Sequence, residues 1–125
     1  MPLVFVEDDT VIRDTVVEYL REHGYEVVKA ATAEDAMRLL VVVSAPQLVV
    51  TNIDLGAGRS GIEFADWLHE RWPELNVIFA SGRLDRLKGR GLKPRETLLA
   101  KPFRLRKLIE LVRSFVPPSA TASGS

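Results

Sequence analysis

The sequence contains no cysteine, and its apolar runs are short. Without cysteine the chain can form neither a disulfide framework nor a thiolate metal site, so packing must supply its stability. The longest apolar runs are about five residues, far below the roughly 18 that a membrane-spanning helix needs. The opening MPLVFVEDD becomes acidic too early for a signal peptide, and we expect a cytoplasmic protein.

An excess of charge of either sign is also missing. The 125 residues include 17 basic and 17 acidic side chains, so the net charge does not call for a nucleic acid or a membrane as partner. Residues 83–95 contain six basic side chains and one acidic side chain, but no aromatic residues lie between them. This stretch therefore indicates a solvated surface or a protein docking patch, because strand-binding surfaces add aromatic stacking platforms.

Five short runs rich in β-forming residues alternate with segments of helical periodicity. The predicted strands are LVFV (3–6), YEVVKA (25–30), QLVVT (47–51), NVIFA (76–80) and TLLA (97–100). Such alternation predicts an α/β fold, a three-layer doubly wound parallel sheet of five strands. The expected strand order is 2-1-3-4-5, as in flavodoxin-like folds, with strand two at the edge.

Helix boundaries can be predicted from capping residues. Asp9 and Gly24 delimit a first helix, whose predicted core face is formed by Val11, Ile12, Val16, Tyr19 and Leu20. Thr32 with Asp35 resembles a capping box for a second helix that runs through Leu40, and Ser60 with Glu63 is a better capping box for a third that Pro73 closes.

The remaining chain is less regular. Gly89, Gly91 and Pro94 oppose a fourth helix in residues 81–96, so we expect a short or irregular one. A last helix is predicted from Arg104 to Phe115. Residues 1–116 are therefore expected to form one domain, followed by a disordered tail over 117–125.

Polar side chains follow four of the five predicted strands. Glu7 and Asp8 come after strand one, Asn52 after strand three, Ser81 after strand four and Lys101 after strand five. Because ligands of doubly wound folds bind at the carboxyl ends of the strands, these side chains should converge. Paired carboxylates fit Mg²⁺, and a lysine and a hydroxyl fit phosphoryl oxygens, so the set indicates phosphoryl chemistry.

These segments resemble the receiver domain of two-component response regulators. The matching pieces are VFVEDD, VVTNIDLGAGRSGIEFA, VIFASG and LLAKPF, over residues 3 to about 116. The resemblance implies an acidic pocket of Glu7 and Asp8, in which Asp8 binds Mg²⁺ directly and Asp54 offers its backbone carbonyl. It further implies that Ser81 and Lys101 contact the phosphoryl group and that the Lys101–Pro102 bond is cis.

The family's phosphorylated aspartate falls on Asn52. An amide has no anionic oxygen with which to attack phosphorus, so we expect no phosphotransfer at this position and weaker Mg²⁺ binding. Two interpretations remain open: a substitution of a native aspartate, or a natural pseudo-receiver that signals without phosphorylation. Asp54 is a less favoured acceptor, because it comes two residues after the expected position. Leu98 replaces an aromatic residue that many family members carry, which leaves the usual aromatic switch without its ring.

The resemblance implies a regulator and not an enzyme. Its expected partners are a histidine kinase or phosphotransfer protein, a downstream protein bound through helix four, strand five and helix five, and possible homodimers. A magnesium phosphatase of the haloacid dehalogenase type is a minor alternative. Its nucleophile position would be Glu7 instead of aspartate, and 125 residues leave little room for the rest of that fold.

Overall fold

A computed structural model of the chain describes residues 2–41 and 44–118. The described residues form five strands, four α-helices and one short 3₁₀ helix. In chain order these are β1 (Leu3–Val6), α1 (Thr10–Glu22), β2 (Val27–Ala30), α2 (Ala33–Val41), β3 (Leu48–Asn52), α3 (Gly61–Arg71), β4 (Val77–Ser81), the 3₁₀ helix (Leu84–Leu87), β5 (Glu96–Ala100) and α4 (Leu105–Phe115).

The strands form one parallel sheet in the order β2-β1-β3-β4-β5, which confirms the predicted topology. Two hydrophobic clusters lie on opposite faces of this sheet: α2 and α3 pack into one, and α1 and α4 into the other. β3 and β4 each run one residue further than predicted, to Asn52 and Ser81. Both side chains are therefore fixed by strand pairing, since they belong to the strands and not to the loops.

The starting point of β2 differs from the prediction. The strand begins at Val27 and not at Tyr25. Tyr25 is buried, and its hydroxyl donates to the Val116 carbonyl at 2.6 Å, so this residue ties the end of α4 to the sheet. Tyr25 therefore makes a long-range contact with Val116 and lies before the strand. Sequence periodicity does not reveal such a contact.

Two of the three predicted helix starts have the expected caps. Asp9 accepts a hydrogen bond from the Ile12 N–H at 3.0 Å, and Ser60 forms a complete capping box with Glu63. Thr32 caps α2 through the Asp35 N–H, but the Asp35 side chain pairs with Arg38 and does not complete the box.

The predicted core face of α1 is partly wrong. Val16, Val17 and Leu20 are buried, whereas Val11 is 75% exposed and Ile12 is 40% exposed. Both exposed residues lie in the first turn of the helix, beyond the carboxyl ends of the strands, where the sheet no longer lies beneath the helix. The helical period was correct, but the sheet is too short to cover its whole apolar face.

An irregular segment replaces a fourth long helix, as the glycines and the proline predicted. Arg90, which follows the 3₁₀ helix, pairs with both oxygens of Glu96 at 2.7 and 2.8 Å and with Asp66 at 2.9 Å. Lys93 also reaches Asp66, at 2.8 Å. This ionic network, formed by Arg90, Glu96, Asp66 and Lys93, holds the irregular segment against α3 and β5.

The cations of residues 83–95 are mostly engaged within the chain. Besides the ionic network, Arg83 pairs with Asp85, Arg86 with Asp54 and Arg95 with Glu74. These pairs offset much of the positive charge of the stretch.

Over residues 2–41 and 44–118, none of the helices has both the length and the apolar character that crossing a bilayer requires. The expected disordered tail over 117–125 lies outside the described residues from position 119 onward.

We predict that Arg90→Met lowers the free energy of unfolding at neutral pH by about 2 kcal/mol, because it leaves the buried Glu96 carboxylate without its main partner. Burial alone would raise the pKa of Glu96, but the hydrogen bonds from Arg90 and the Lys93 N–H outweigh it and lower the pKa. The stabilisation is therefore present above the ordinary carboxylate pKa of about 4 and is lost as pH falls through the lowered value.

Urea denaturation followed by circular dichroism at neutral and acidic pH tests this prediction. The difference between the native chain and Arg90→Met should shrink once the pH falls below about 4. Arg83→Met is the matched control, because the Arg83–Asp85 pair is exposed, and it should change stability little at either pH. Equal losses in the two variants would contradict a special role for the ionic network.

Candidate functional site

The side chain of Glu7 lies at the centre of the polar cluster at the carboxyl end of the sheet. It is 2% exposed, and both of its oxygens are hydrogen-bonded. Oε2 accepts from the Asn52 Nδ2 at 2.6 Å and from the Asp9 N–H at 3.1 Å, while Oε1 pairs with the Lys101 Nζ at 3.2 Å. A buried carboxylate is stable here because a cation and two N–H donors compensate for its lost hydration.

Asn52 joins the two acidic residues that follow β1. Its amide nitrogen donates to Glu7 and, more weakly, to the Asp8 Oδ1 at 3.4 Å. The amide oxygen is buried and has no hydrogen-bond partner among the described residues. The amide group thus brings a neutral donor to two carboxylates, and it leaves one oxygen acceptor free to accept a hydrogen bond or to bind a cation.

Lys101 reaches this cluster from the end of β5. Backbone pairing fixes its position, since the Lys101 N–H donates to the Ser81 carbonyl at 2.9 Å. The Lys101–Pro102 peptide is cis, as the resemblance implied. The lysine side chain is 28% exposed, so its charge faces the buried Glu7 and also remains accessible from solvent.

Gly61 lies directly against the backbone of Asn52. It is the first residue of α3, and its N–H donates to the Ile53 carbonyl at 2.8 Å. A Cβ atom at this position would lie 1.8 Å from the Asn52 backbone oxygen. Only glycine therefore lets α3 begin this close to the end of β3, and sequence analysis did not single it out. The only indication in the sequence was the segment SGIEF, in which this glycine follows the capping residue Ser60.

Ser81 lies next to the cluster but points its hydroxyl elsewhere. The side chain is buried, and its Oγ accepts from the Arg83 N–H at 2.9 Å. Over the described residues, no hydrogen bond joins it to Asn52 or Lys101 side-chain atoms. Leu98, at the position of the missing aromatic ring, packs against the core cluster of α2 and α3.

The side chain of Asp54 turns away from Asn52. Its carboxylate pairs with the Arg86 Nε at 3.0 Å, and both side chains are nearly half exposed. This ion pair connects the loop after β3 to the 3₁₀ helix at the rim of the cluster. Arg86 was not among the predicted site residues, because nothing in the sequence relates positions 54 and 86.

Four of the six predicted site residues therefore form one hydrogen-bonded cluster: Glu7, Asp8, Asn52 and Lys101. Ser81 is adjacent through the backbone, and Asp54 is at the rim. The roles that the resemblance gives them, in binding metal and phosphate, remain predictions.

The resemblance also implies a Mg²⁺ ion, and the donor set can be tested against it. Mg²⁺ takes oxygen ligands in octahedral geometry and keeps several waters. Both Glu7 oxygens already accept N–H donors, which leaves the exposed Asp8 carboxylate and the free Asn52 oxygen as side-chain ligands. Within the described part of the chain, no group of three or more acidic or histidine side chains could hold a metal. The side-chain donors that remain for an ion are therefore these two groups, and water would have to fill the other positions.

Comparison with known proteins identifies the family. The family model of the response regulator receiver domain matches residues 3–113, and the chain therefore belongs to this family. The receiver protein from Sinorhizobium medicae WSM419 has the same fold, with a TM-score of 0.83 at 21% identity over 92% of this chain and 93% of that one. The NtrX receiver domain from Brucella abortus gives 0.77 at 27% identity, over 94% and 99%.

Curated relatives are longer than this chain. The response regulator protein FleR of Pseudomonas aeruginosa is 30% identical over 112 residues, which are 88% of this chain and 23% of FleR. The transcriptional regulatory protein AruR of the same species is 30% identical over 121 residues, or 91% of this chain and 48% of AruR. The chain thus spans less than half the length of these relatives.

We predict that Lys101→Met destabilises the protein by about 1 to 3 kcal/mol, because it removes the cation from the buried Glu7 carboxylate. Lys101→Arg should recover part of the loss. Lys88→Met, at an exposed lysine, is the control and should be neutral. Thermal unfolding measures all three variants, and a neutral Lys101→Met would show that the pair with Glu7 does not stabilise the cluster.

We predict that Gly61→Ala costs about 2 kcal/mol or more, because the new methyl group would overlap the Asn52 carbonyl and force β3 and α3 apart. Gly82→Ala is matched to it, since a Cβ there meets nothing closer than 3.8 Å. Urea denaturation should show a large loss for the first variant and a change within about 0.5 kcal/mol for the second. Similar losses would remove the special role of Gly61.

Proposed function

We propose that this chain is a signalling receiver domain that regulates through protein contacts and is not phosphorylated at position 52. The observation that carries the proposal is the bonding of Asn52, whose amide nitrogen donates to both Glu7 and Asp8. A neutral amide cannot form the acyl phosphate on which covalent catalysis by a carboxylate depends. The Glu7 carboxylate is instead satisfied by Asn52, Lys101 and the Asp9 N–H, while the Asn52 amide oxygen has no partner among the described residues.

The bonding pattern bears on the two interpretations of Asn52. A carboxylate in its place would put an oxygen about where the amide nitrogen lies, 2.6 Å from the Glu7 Oε2. Such proximity of two carboxylates costs free energy unless a cation or a proton separates them. The amide therefore removes this repulsion without metal, whether it is natural or replaces a native aspartate. The second candidate, a receiver with a substituted aspartate, is favoured by the intact Lys101–Glu7 pair.

The proposal includes Mg²⁺ only as an ion that the pocket binds weakly. When bound, the ion would neutralise charge on an incoming phosphoryl group. Asp8 and the Asn52 oxygen would hold it, with the Asp54 backbone carbonyl as the family resemblance implies. Glu7 would not bind the ion directly, because its oxygens accept hydrogen bonds from Asn52, Asp9 and Lys101. It would instead hold Asn52 and Lys101 in position.

The same contacts argue against the phosphatase alternative. Its nucleophile would be Glu7, and a carboxylate that is buried and hydrogen-bonded at both oxygens is poorly placed to attack phosphorus. We therefore assign the chain a regulatory and not an enzymatic role.

The proposed partners are those of the family. A histidine kinase or phosphotransfer protein would dock above the cluster, and a downstream protein would bind the face that contains the 3₁₀ helix, β5 and α4. In this chain that face has a 3₁₀ turn where helix four was expected. The curated relatives are longer than this chain, so the activity of any longer protein that contains this domain is also a proposal.

Restoring the carboxylate tests the proposal. The native chain with Mg²⁺ and acetyl phosphate should show no added phosphoryl group by intact mass spectrometry, whereas Asn52→Asp should gain one. Asn52→Asp should also be less stable than the native chain by about 1 kcal/mol without Mg²⁺ and should be stabilised by the ion.

The controls separate the possible outcomes. Asn52→Asp combined with Lys101→Met should lose the phosphoryl gain, since the lysine no longer pairs with the group. A phosphoryl group on the native chain would contradict the proposal and would point to another acceptor, with Asp54 first to be examined. Failure of Asn52→Asp to gain phosphate would contradict a substituted aspartate and leave the natural pseudo-receiver. A pseudo-receiver further requires that partner binding be indifferent to acetyl phosphate, even after Asn52→Asp.

A further inference from the structure

An apolar cavity lies between α2 and the edge strand β2. It has a volume of about 250 Å³, and its walls include Val4 of β1, Val28 of β2 and the neighbouring Leu39 and Leu40 of α2. Of the described residues that line it, Ser44 alone has a polar side chain. Leu39 is 44% exposed, so solvent reaches the cavity at this side chain. Such a cavity suits an alkyl group and not water, because a buried water needs about two to four polar partners.

A second cavity, of about 410 Å³, adjoins the first at the carboxyl end of β2. Its charged lining residues are three cations and one carboxylate: Arg13, Lys29, Arg38 and Asp35. Leu39 lines both cavities, and the consecutive β2 residues Val28 and Lys29 line one each. Together the two cavities form an edge groove, which is apolar at one end and basic at the other.

The three cations of the edge groove are only loosely engaged within the chain. Lys29 pairs with Asp14 at 3.1 Å, and both side chains are about half exposed. Arg38 is largely exposed and pairs with a neighbour in its own helix. Arg13 donates to the Glu7 backbone carbonyl at 3.0 Å and has no carboxylate within 4.0 Å over residues 2–41 and 44–118. Exposed ion pairs contribute little to stability, so an incoming anion can compete for these cations.

We propose that the edge groove binds a single-chain anionic amphiphile, with the alkyl chain in the apolar cavity and the anionic head between the cations. An apolar cavity of about 150 Å³ holds benzene, so one of about 250 Å³ has room for a chain of about ten carbons. Guanidinium and ammonium groups suit the head, because charge-assisted hydrogen bonds to oxyanions are stronger than neutral ones. This ligand goes beyond the proposed function, since the hydrogen-bonded cluster around Asn52 does not line the groove.

A larger apolar groove, of about 440 Å³, lies between α1 and the start of α4 and suits this ligand less. Val11, Ile12 and Phe103 are among its lining residues, and its lining cation is Lys101. That lysine already pairs with the buried Glu7 carboxylate at 3.2 Å. An anionic head there would compete with a buried partner, whereas in the edge groove it would compete only with exposed ones.

Equilibrium dialysis of the full chain against straight-chain alkanoates tests the proposal, at concentrations below those at which the alkanoates form micelles. Hexanoate, octanoate and decanoate should bind with dissociation constants that fall by roughly fourfold for each added methylene group. This is the change expected when an alkyl chain leaves water for an apolar cavity.

A substitution at Leu39 tests the apolar end of the groove. Leu39→Glu removes an apolar wall that both cavities share and places a carboxylate beside the ligand, so it should weaken decanoate binding by about tenfold or more. Val41→Glu is the matched control, because Val41 is exposed on the same helix and lines neither cavity. Both positions are exposed, so both variants should fold, and circular dichroism verifies this.

A charge reversal tests the basic end. Lys29→Glu with Arg38→Glu should weaken octanoate binding by about tenfold or more and leave the binding of uncharged 1-octanol unchanged. Arg106→Glu with Lys107→Glu, which reverses two exposed cations of α4, is the matched control and should change the binding of neither ligand.

Three results would overturn the proposal: no binding of decanoate at millimolar concentration, an affinity that does not rise with chain length, or equal weakening by Leu39→Glu and Val41→Glu. Vesicles of phosphatidylglycerol distinguish a dissolved ligand from a lipid surface. Binding to vesicles by a chain that does not bind decanoate would identify a membrane contact and contradict the proposal. Asn52→Asp should leave the dissociation constant of decanoate unchanged, so failure of this site and failure of the proposed function are separate outcomes.

Discussion

The burial of the Glu7 carboxylate is the constraint on which the rest of the pocket depends. A negative charge at the carboxyl end of a dry sheet requires partners, and the chain supplies them from three places: Lys101 after β5, the Asn52 amide in β3 and the Asp9 N–H after β1. These partners hold three strand ends at one point. Strand pairing sets the register of the neighbouring strands and so fixes where their ends meet.

The second organising interaction is the ionic network around Glu96. It joins Arg90 to Glu96 of β5 and to Asp66 of α3, and it holds the irregular segment in one position. That position in turn places Arg86 beside Asp54 at the rim of the pocket. One short segment thus connects two ionic clusters at opposite ends of the sheet. From the sequence, the thirteen residues of this segment, which are rich in basic side chains, had indicated only a charged surface.

Much of this structure could be predicted from local chemistry. Alternating strand and helix patterns gave the sheet and its order, caps at Asp9 and Ser60 fixed helix starts, and polar residues at strand ends indicated the pocket. What escaped prediction depends on residues distant in sequence: the clash that makes Gly61 necessary, the Arg86–Asp54 pair, and the exposure of Val11. Periodicity shows which face of a helix is apolar, but not how far the neighbouring sheet extends beneath it.

The shape of the pocket around Asn52 has a consequence for how this protein can evolve. Every asparagine codon becomes an aspartate codon through a single change in its first base, and the surrounding lysine, acids and glycine are already in place. A gene that encodes this asparagine therefore stands one nucleotide away from a carboxylate at this position. The amide is in that sense reversible in genetic terms, because the neighbours that a carboxylate would meet stay unchanged.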